Sequence, residues 1–138
     1  MPCATHSCSY RVSYADTDCM GRVYYANYLE ICERARTEFL RDIGHSYKSI
    51  EETGCMFPVR GCQVRYYGYA VYDDLLDCRS RIGRMRHATI VFVTDIHRRG
   101  AEKPLVSAQV ELAFVNAAGK PCVIPGALRA ALEPYVEE

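Results

Sequence analysis

An excess of either charge sign is missing from this 138-residue chain: Lys and Arg number 17, Asp and Glu number 17, and the formal net charge is zero. Without a surplus there is no long-range field to steer a polyanion, which argues against nucleic acid or an anionic membrane as the main partner. Long apolar runs are missing too. The longest are a few residues, far short of the ~20 that cross a bilayer, so no integral membrane association is expected. The opening Met1-Pro2-Cys3-Ala4-Thr5-His6 has neither a basic stretch nor an apolar one of the secretory kind, and a cytoplasmic location is expected. Near-zero net charge also leaves self-association unopposed.

Eight cysteines are present, but no two of them form a CxxC pair. With 49% hydrophobic residues the chain can build a core without cross-links, so reduced thiols are expected, most of them acting as small buried hydrophobes. Cys3-x2-His6-x-Cys8 is the one tight cluster of metal-ligand types. It falls in residues 1–8, read as a flexible tail of a single domain spanning 1–138, and no metal is expected there.

What is present is one strong helical pattern. Tyr25, Tyr28, Leu29, Cys32, Ala35, Phe39, Leu40 and Ile43 recur at spacings of three and four, with Glu30, Glu33, Arg34, Thr37, Glu38, Arg41 and Asp42 on the other side. Gly44 follows where a left-handed cap ends a helix. Period-two alternation from Val106 to Phe114 predicts a half-buried strand, and Ala88–Ile96 predicts another. Further strands are expected near Tyr10–Tyr14, Val59–Tyr66 and Leu75–Ile82, with a short helix from Pro125-Gly126 through Leu132. His97–Ala101 reads as a solvated turn, and His45 as a cation at the end of the long helix. One early helix followed by antiparallel strands is an α+β layout: a long helix wrapped by a five-stranded sheet, with the other face or an edge left open.

The stretch from Tyr14 to Tyr28 leaves a strand, turns at Gly21 and enters the long helix. A helix N-terminus offers unpaired backbone N–H groups and a positive dipole end. A carboxylate just upstream sits beside a natural oxyanion site. Asp16 and Asp18 suit that role, and they equally suit turn and capping duty.

Asp16-Thr17-Asp18-x-x-Gly21-x-Val23-Tyr24-x-x-x-Tyr28, continuing into Glu33-Arg34-Ala35-Arg36-Thr37-Glu38, resembles the hotdog-fold acyl-CoA thioesterases of the 4-hydroxybenzoyl-CoA thioesterase type, in particular the branch found with the Tol-Pal envelope genes. Tyr72-Asp73-Asp74-Leu75-Leu76, Met85–Phe92 and Gly119–Pro125 follow in the family's order. The resemblance implies an α+β hotdog domain that hydrolyses acyl-CoA without a cofactor. It implies that Asp18 is the catalytic carboxylate, as nucleophile or general base. It places the oxyanion-binding N–H at Tyr25, in the first helical turn. The motif's Gly21 and Tyr28 join the substrate-binding set, and so do Arg86 and His87, since a guanidinium suits a CoA phosphate. A homodimer or homotetramer with the acyl pocket between protomers is also implied. One departure concerns Tyr25: the Tol-Pal branch has His there and the hydroxybenzoyl branch Tyr, which leaves aliphatic and aromatic acyl groups both open.

Two other classes compete with hydrolysis. A hotdog protein that binds acyl-CoA or acyl-carrier protein without turnover would not need a carboxylate at position 18. A hotdog dehydratase would need a His in or just before the long helix, and none of the four histidines lies there. The Tyr66-Tyr67-Gly68-Tyr69 run with Tyr72 reads as interface or core packing, with a pocket wall as the lesser reading.

Overall fold

The computed structural model describes residues 3–137. Strand β1 (His6–Arg11) leads through a short 3-10 turn at Tyr14–Asp16 and a hairpin loop into helix α1 (Asn27–Asp42). A five-residue helix, α2 (Tyr47–Glu51), precedes β2 (Val59–Tyr66), β3 (Leu75–Met85), β4 (Thr89–Arg98) and β5 (Val106–Ala113); α3 (Gly126–Leu132) closes the chain. The strands form one antiparallel sheet in the order β1-β3-β4-β5-β2. This is the expected α+β hotdog layout.

The period-two pattern of β3, β4 and β5 sends Leu76, Ile82, Phe92, Ile96, Val110 and Leu112 to the helix side, where all are buried. There they meet the α1 stripe of Tyr28, Ile31, Cys32, Ala35, Phe39 and Leu40. The stripe matches the expected spacing, with two additions: Ile31 and the charged Arg36 also face inward. Phe39 is fully buried, edge-on to Phe92 and stacked beneath the His6 ring at 4.9 Å.

Several expectations are corrected. The first strand runs His6–Arg11, not Tyr10–Tyr14, because residues 6–11 pair with Leu75–Ser80 of β3. Residues 6–8 of the expected tail are therefore ordered strand, while residues 1–2 lie outside the described part. The His6 ring bonds Asp42 at 2.8 Å, and Cys8 sits across from Cys78. Only Cys32 and Cys78 are buried, whereas Cys19 and Cys62 are exposed, one at a loop tip and the other on the sheet edge. His97 is buried within β4, its Nδ1 bonded to the Ala101 carbonyl at 3.1 Å. Helix α2 was not anticipated; Ser46 caps it by accepting the Ser49 N–H at 3.2 Å.

The sheet's outer face is polar, laced by Arg81–Asp95 (2.9 Å), Arg81–Glu137 (2.9 Å) and Arg99–Asp77 (2.9 Å) pairs. Several exposed apolar groups lie along edge strand β2 and the loop after it, at Val59, Tyr66, Tyr67 and Tyr69. Among the described residues no helix is long and apolar enough to cross a membrane.

Helix α1 stops as foreseen. Gly44 takes φ = +90°, its N–H donates to the Arg41 carbonyl at 3.0 Å, and the His45 N–H donates to Leu40 at 2.9 Å. Those two bonds satisfy carbonyls the helix would otherwise leave open. His45 thus closes the helix through its backbone. No atom lies within 4 Å of a Cβ built at Gly44, so Gly44→Ala carries a purely conformational penalty. Urea denaturation should show a loss of about 1–2 kcal/mol. Gly126→Ala, which also meets nothing but lacks a positive φ, should be neutral or slightly stabilising.

Candidate active site

The loop before α1 is built around Asp16. Its Oδ2 accepts from the Tyr10 hydroxyl at 2.7 Å, the Ser13 N–H at 2.9 Å and the Ser13 hydroxyl at 3.1 Å. Its carbonyl accepts from the Tyr24 N–H at 2.8 Å and the Asn27 side-chain amide at 3.2 Å. One residue therefore ties β1, the loop and the helix start together. Burial and the bond to Asp16 raise the Tyr10 hydroxyl pKa above its ordinary value.

Beyond Asp16 the chain folds back on itself, with Thr17 bridged to Val23. Asp18 donates its N–H to the Arg22 carbonyl at 2.8 Å, and Gly21 donates to the Asp18 carbonyl at 3.0 Å. This is a three-residue hairpin loop, whose last position needs left-handed backbone; Gly21 supplies it at φ = +76°. The role of Gly21 is thus in the backbone.

Asp18 sits half-buried at the base of this loop. Its Oδ1 accepts from the Met20 N–H at 2.8 Å and the Arg22 N–H at 3.3 Å. Among the described residues its Oδ2 has no partner. The two aspartates thus differ: Asp16 is consumed by structure, while Asp18 is oriented through one oxygen and keeps the other free.

Tyr25 is 62% exposed and lies one step outside the helix, in the turn closed by the Asn27 N–H to the Tyr24 carbonyl at 2.8 Å. The expectation that it opens the first helical turn is corrected, since α1 begins at Asn27 and its N-cap Ala26 has no capping side chain. Among the described residues the Tyr25 N–H finds no acceptor. Its carbonyl accepts from the Tyr66 hydroxyl at 2.9 Å, which pins the helix entry to the end of β2. The rings of Tyr24 and Tyr66 flank it at 4.9 and 6.4 Å. The Tyr25 phenol raises the Tyr24 pKa above its ordinary value, with a smaller push from the Asp18 carboxylate.

Tyr28 was expected to touch substrate. It is 2% exposed, and its hydroxyl accepts the Ala70 N–H at 2.9 Å, so it is a strut between α1 and the β2–β3 loop. Tyr66, Tyr67, Tyr69 and Tyr72 are exposed, which removes the core-packing reading for that run. Arg86 and His87 lie at the turn between β3 and β4, the end of β3 remote from the Asp18 loop. Eleven residues of strand separate the two ends, roughly 35 Å. The carbonyls of Arg86 and His87 receive the Arg129 guanidinium and the Ile124 N–H, so their backbone seats the C-terminal segment. Within one protomer they share no site with Asp18.

Beside Tyr25 a cavity of about 320 Å³ opens between α1 and β2, lined by Ala26, Leu29 and Arg36 of the helix with Val59 and Cys62 of the edge strand. Arg36 escaped the sequence reading, although a signal existed. It stands four residues from Cys32 and four from Leu40, so a guanidinium falls within the apolar stripe.

A profile of the thioesterase-like superfamily matches residues 12–132. The chain belongs to this superfamily. It is similar to the acyl-CoA thioesterase YbgC of Haemophilus influenzae, 37% identical over 88% of this chain and 89% of that protein. It is also 42% identical to the acyl-CoA thioester hydrolase YbgC of Escherichia coli, over 62% of this chain and 64% of that protein, just under two thirds of its length. A probable thioesterase from Bartonella henselae superposes with a TM-score of 0.82 at 38% identity, covering 88% of this chain and all of that one. A 1,4-dihydroxy-2-naphthoyl-CoA thioesterase from Synechocystis superposes at 0.87 with 21% identity, over 94% and 96%, and shows the shared fold. The two YbgC relatives are consistent with the Tol-Pal branch that the motif resembles.

The asymmetry between the aspartates is testable. Asp16→Asn keeps the shape but removes the charge that draws three donors. Chemical denaturation should show a loss of about 1–3 kcal/mol, with turnover per folded molecule falling far less than in Asp18→Asn.

Proposed function

We propose that this chain is a cytoplasmic acyl-CoA thioester hydrolase for a short-to-medium aliphatic or an aromatic acyl group. Asp18 is its nucleophile or general base, and the Tyr25 N–H is its oxyanion donor. The observation that carries this reading is the free Oδ2 of Asp18, on a loop that the Thr17–Val23 bridge folds back toward the segment carrying the unsatisfied Tyr25 N–H, two residues before a 16-residue helix. A binding protein has no use for an oriented, unpartnered carboxylate there. Eight free thiols suit a reducing compartment.

Two routes share this geometry. In one, Asp18 adds to the thioester carbonyl, the carbon–sulfur bond breaks to release CoA thiolate, and water hydrolyses the acyl-aspartyl anhydride. In the other, Asp18 takes a proton from water, the resulting hydroxide adds to the carbonyl, and CoA leaves as thiolate before taking up a proton. In both, the carbonyl oxygen becomes an oxyanion at the tetrahedral stage. The Tyr25 N–H and the positive end of the α1 dipole stabilise it there. Arg86 and His87, remote within one protomer, can approach an acyl-CoA only across subunits. That reading goes with a homodimer or homotetramer joined along β2, whose outer edge is unpaired and whose Val59 and Tyr66 are 53% and 45% exposed. A second copy covering this edge would bury apolar surface and pair open backbone groups.

Thioester cleavage is read as free thiol released from a panel of acyl-CoAs, against a protein-only blank because the chain carries its own cysteines. Asp18→Asn should fold and keep its size in light scattering while losing nearly all turnover; wild-type rates in this variant would refute the assignment. Tyr25→Pro removes an N–H that bonds to nothing, and should lower kcat by roughly 10²–10³. Tyr25→Ala keeps that N–H and should lose much less. Circular dichroism must first confirm that both variants are folded, and equal losses would point to the phenol instead.

A further inference from the structure

Arg36 is 6% exposed, joins no ion pair among the described residues, and its Nε has no hydrogen-bond partner. Its guanidinium lies 6.0 Å from the centre of the Phe92 ring. A nearby carboxylate, Glu30, turns instead toward Arg34 at 4.0 Å. An arginine keeps its charge in a protein, and burying a charge without a partner is costly. Burial pulls the Arg36 pKa below its ordinary value, and Tyr47 and Glu33 offset this only in part.

The surroundings are built to receive something. Arg36 borders the cavity of about 320 Å³ that begins at Ala26, and also a neighbouring one of about 340 Å³ under Tyr47 and Phe57. Between Ala26 and Arg36 the first cavity is walled by the apolar Leu29, Val59, Cys62 and Val110 and by the carboxylate side chains Glu30 and Glu33, the latter also bordering the second cavity. A passage of mixed lining thus leads from Ala26, next to the oxyanion donor, to Arg36, the one cationic side chain on its wall. A guanidinium fork binds a carboxylate through two parallel hydrogen bonds.

We propose that Arg36 ends the acyl site and binds the distal carboxylate of an ω-carboxyacyl-CoA, the monothioester of a dicarboxylic acid. This rests on the reading that the acyl group enters beside Asp18 and Tyr25. Ten residues of helix separate Ala26 from Arg36, a rise of about 15 Å, and helical side chains lean back toward the N-terminus. The Arg36 side chain, leaning back toward Ala26, takes up part of this rise, so the passage suits an acyl chain of medium length.

Three measurements on the full chain test this. The first is kcat/KM for adipoyl- and suberoyl-CoA against hexanoyl- and octanoyl-CoA. The ratio should favour the carboxylated substrates in wild type, fall on the order of 10²-fold in Arg36→Met, and recover partly in Arg36→Lys. The second is calorimetric binding of free adipate and suberate against hexanoate, which needs no turnover. Dicarboxylate binding that vanishes in Arg36→Met supports the site even where no thioester is cleaved, in which case the hydrolase reading alone fails. The third is denaturation with light scattering. Arg36→Met should be as stable as wild type or more so, at the same oligomer size, because a lone buried charge has been replaced by an apolar side chain. A marked loss of stability or a change of size would overturn the proposal, since Arg36 would then be paired with a protein carboxylate, such as Glu33 or one from a second copy. An unchanged substrate ratio, or no dicarboxylate binding to wild type, would overturn it as well.

Discussion

The hydrogen bonds converging on Asp16 set the geometry of the candidate site. Its carboxylate gathers Tyr10 from β1 and Ser13 from the turn after it. Its carbonyl gathers Tyr24 and Asn27 from the start of α1. Sheet, hairpin and helix are thereby referred to one point, and the eight-residue excursion from Asp16 to Tyr24 becomes a short, stiff loop. Asp18 rides on that loop with its orientation set by two backbone N–H groups. A functional side chain on a loop is precise only where the loop has little freedom, and here a second aspartate two residues away restrains it.

The fold was legible in the sequence wherever side-chain periodicity decides the outcome. The α1 stripe, the alternation in β5 and the span Val59–Tyr66 all follow from patterns of apolar residues, and Gly44 marks a helix end that only its backbone could make cheaply. Legibility failed where tertiary pairing overrides local pattern. His6–Arg11 has little intrinsic strand character, yet β3 presents an open edge and six residues pair with it. His97 reads as solvated beside two arginines, but β4 extends past it and carries it into the interior.

The candidate site divides along the same line. The spacing of Asp16, Asp18 and Gly21 announces a turn before a helix, and the family likeness chooses between the aspartates. The hydrogen bonds add the physical reason: one carboxylate is spent on three donors and the other is not. Tyr28 could not be sorted from sequence, because a tyrosine in an apolar stripe points its hydroxyl either to substrate or to an orphaned backbone N–H, and only the position of Ala70 decides. Arg36 could not be placed from sequence, because a long charged side chain within an apolar stripe can either reach solvent or stay buried, and only the packing of β2 and Phe92 decides.

The strand order β1-β3-β4-β5-β2 bears on how the molecule assembles. Strands β3, β4 and β5 are consecutive in the chain and adjacent in the sheet, so Met85 meets Ile90 only five positions away. His6 must find Ser80, 74 positions away. Loop-closure entropy alone makes the distant pairing costlier by about 2 kcal/mol. The central meander can therefore nucleate early, while the two outer strands dock late. Those outer strands carry Tyr10, which holds Asp16, and Val59 with Cys62, which wall the cavity beside Arg36. The chemistry of this protein is thus assembled from the parts of the chain that arrive last, and a nascent or partly unfolded molecule would hold most of its sheet before it held a site.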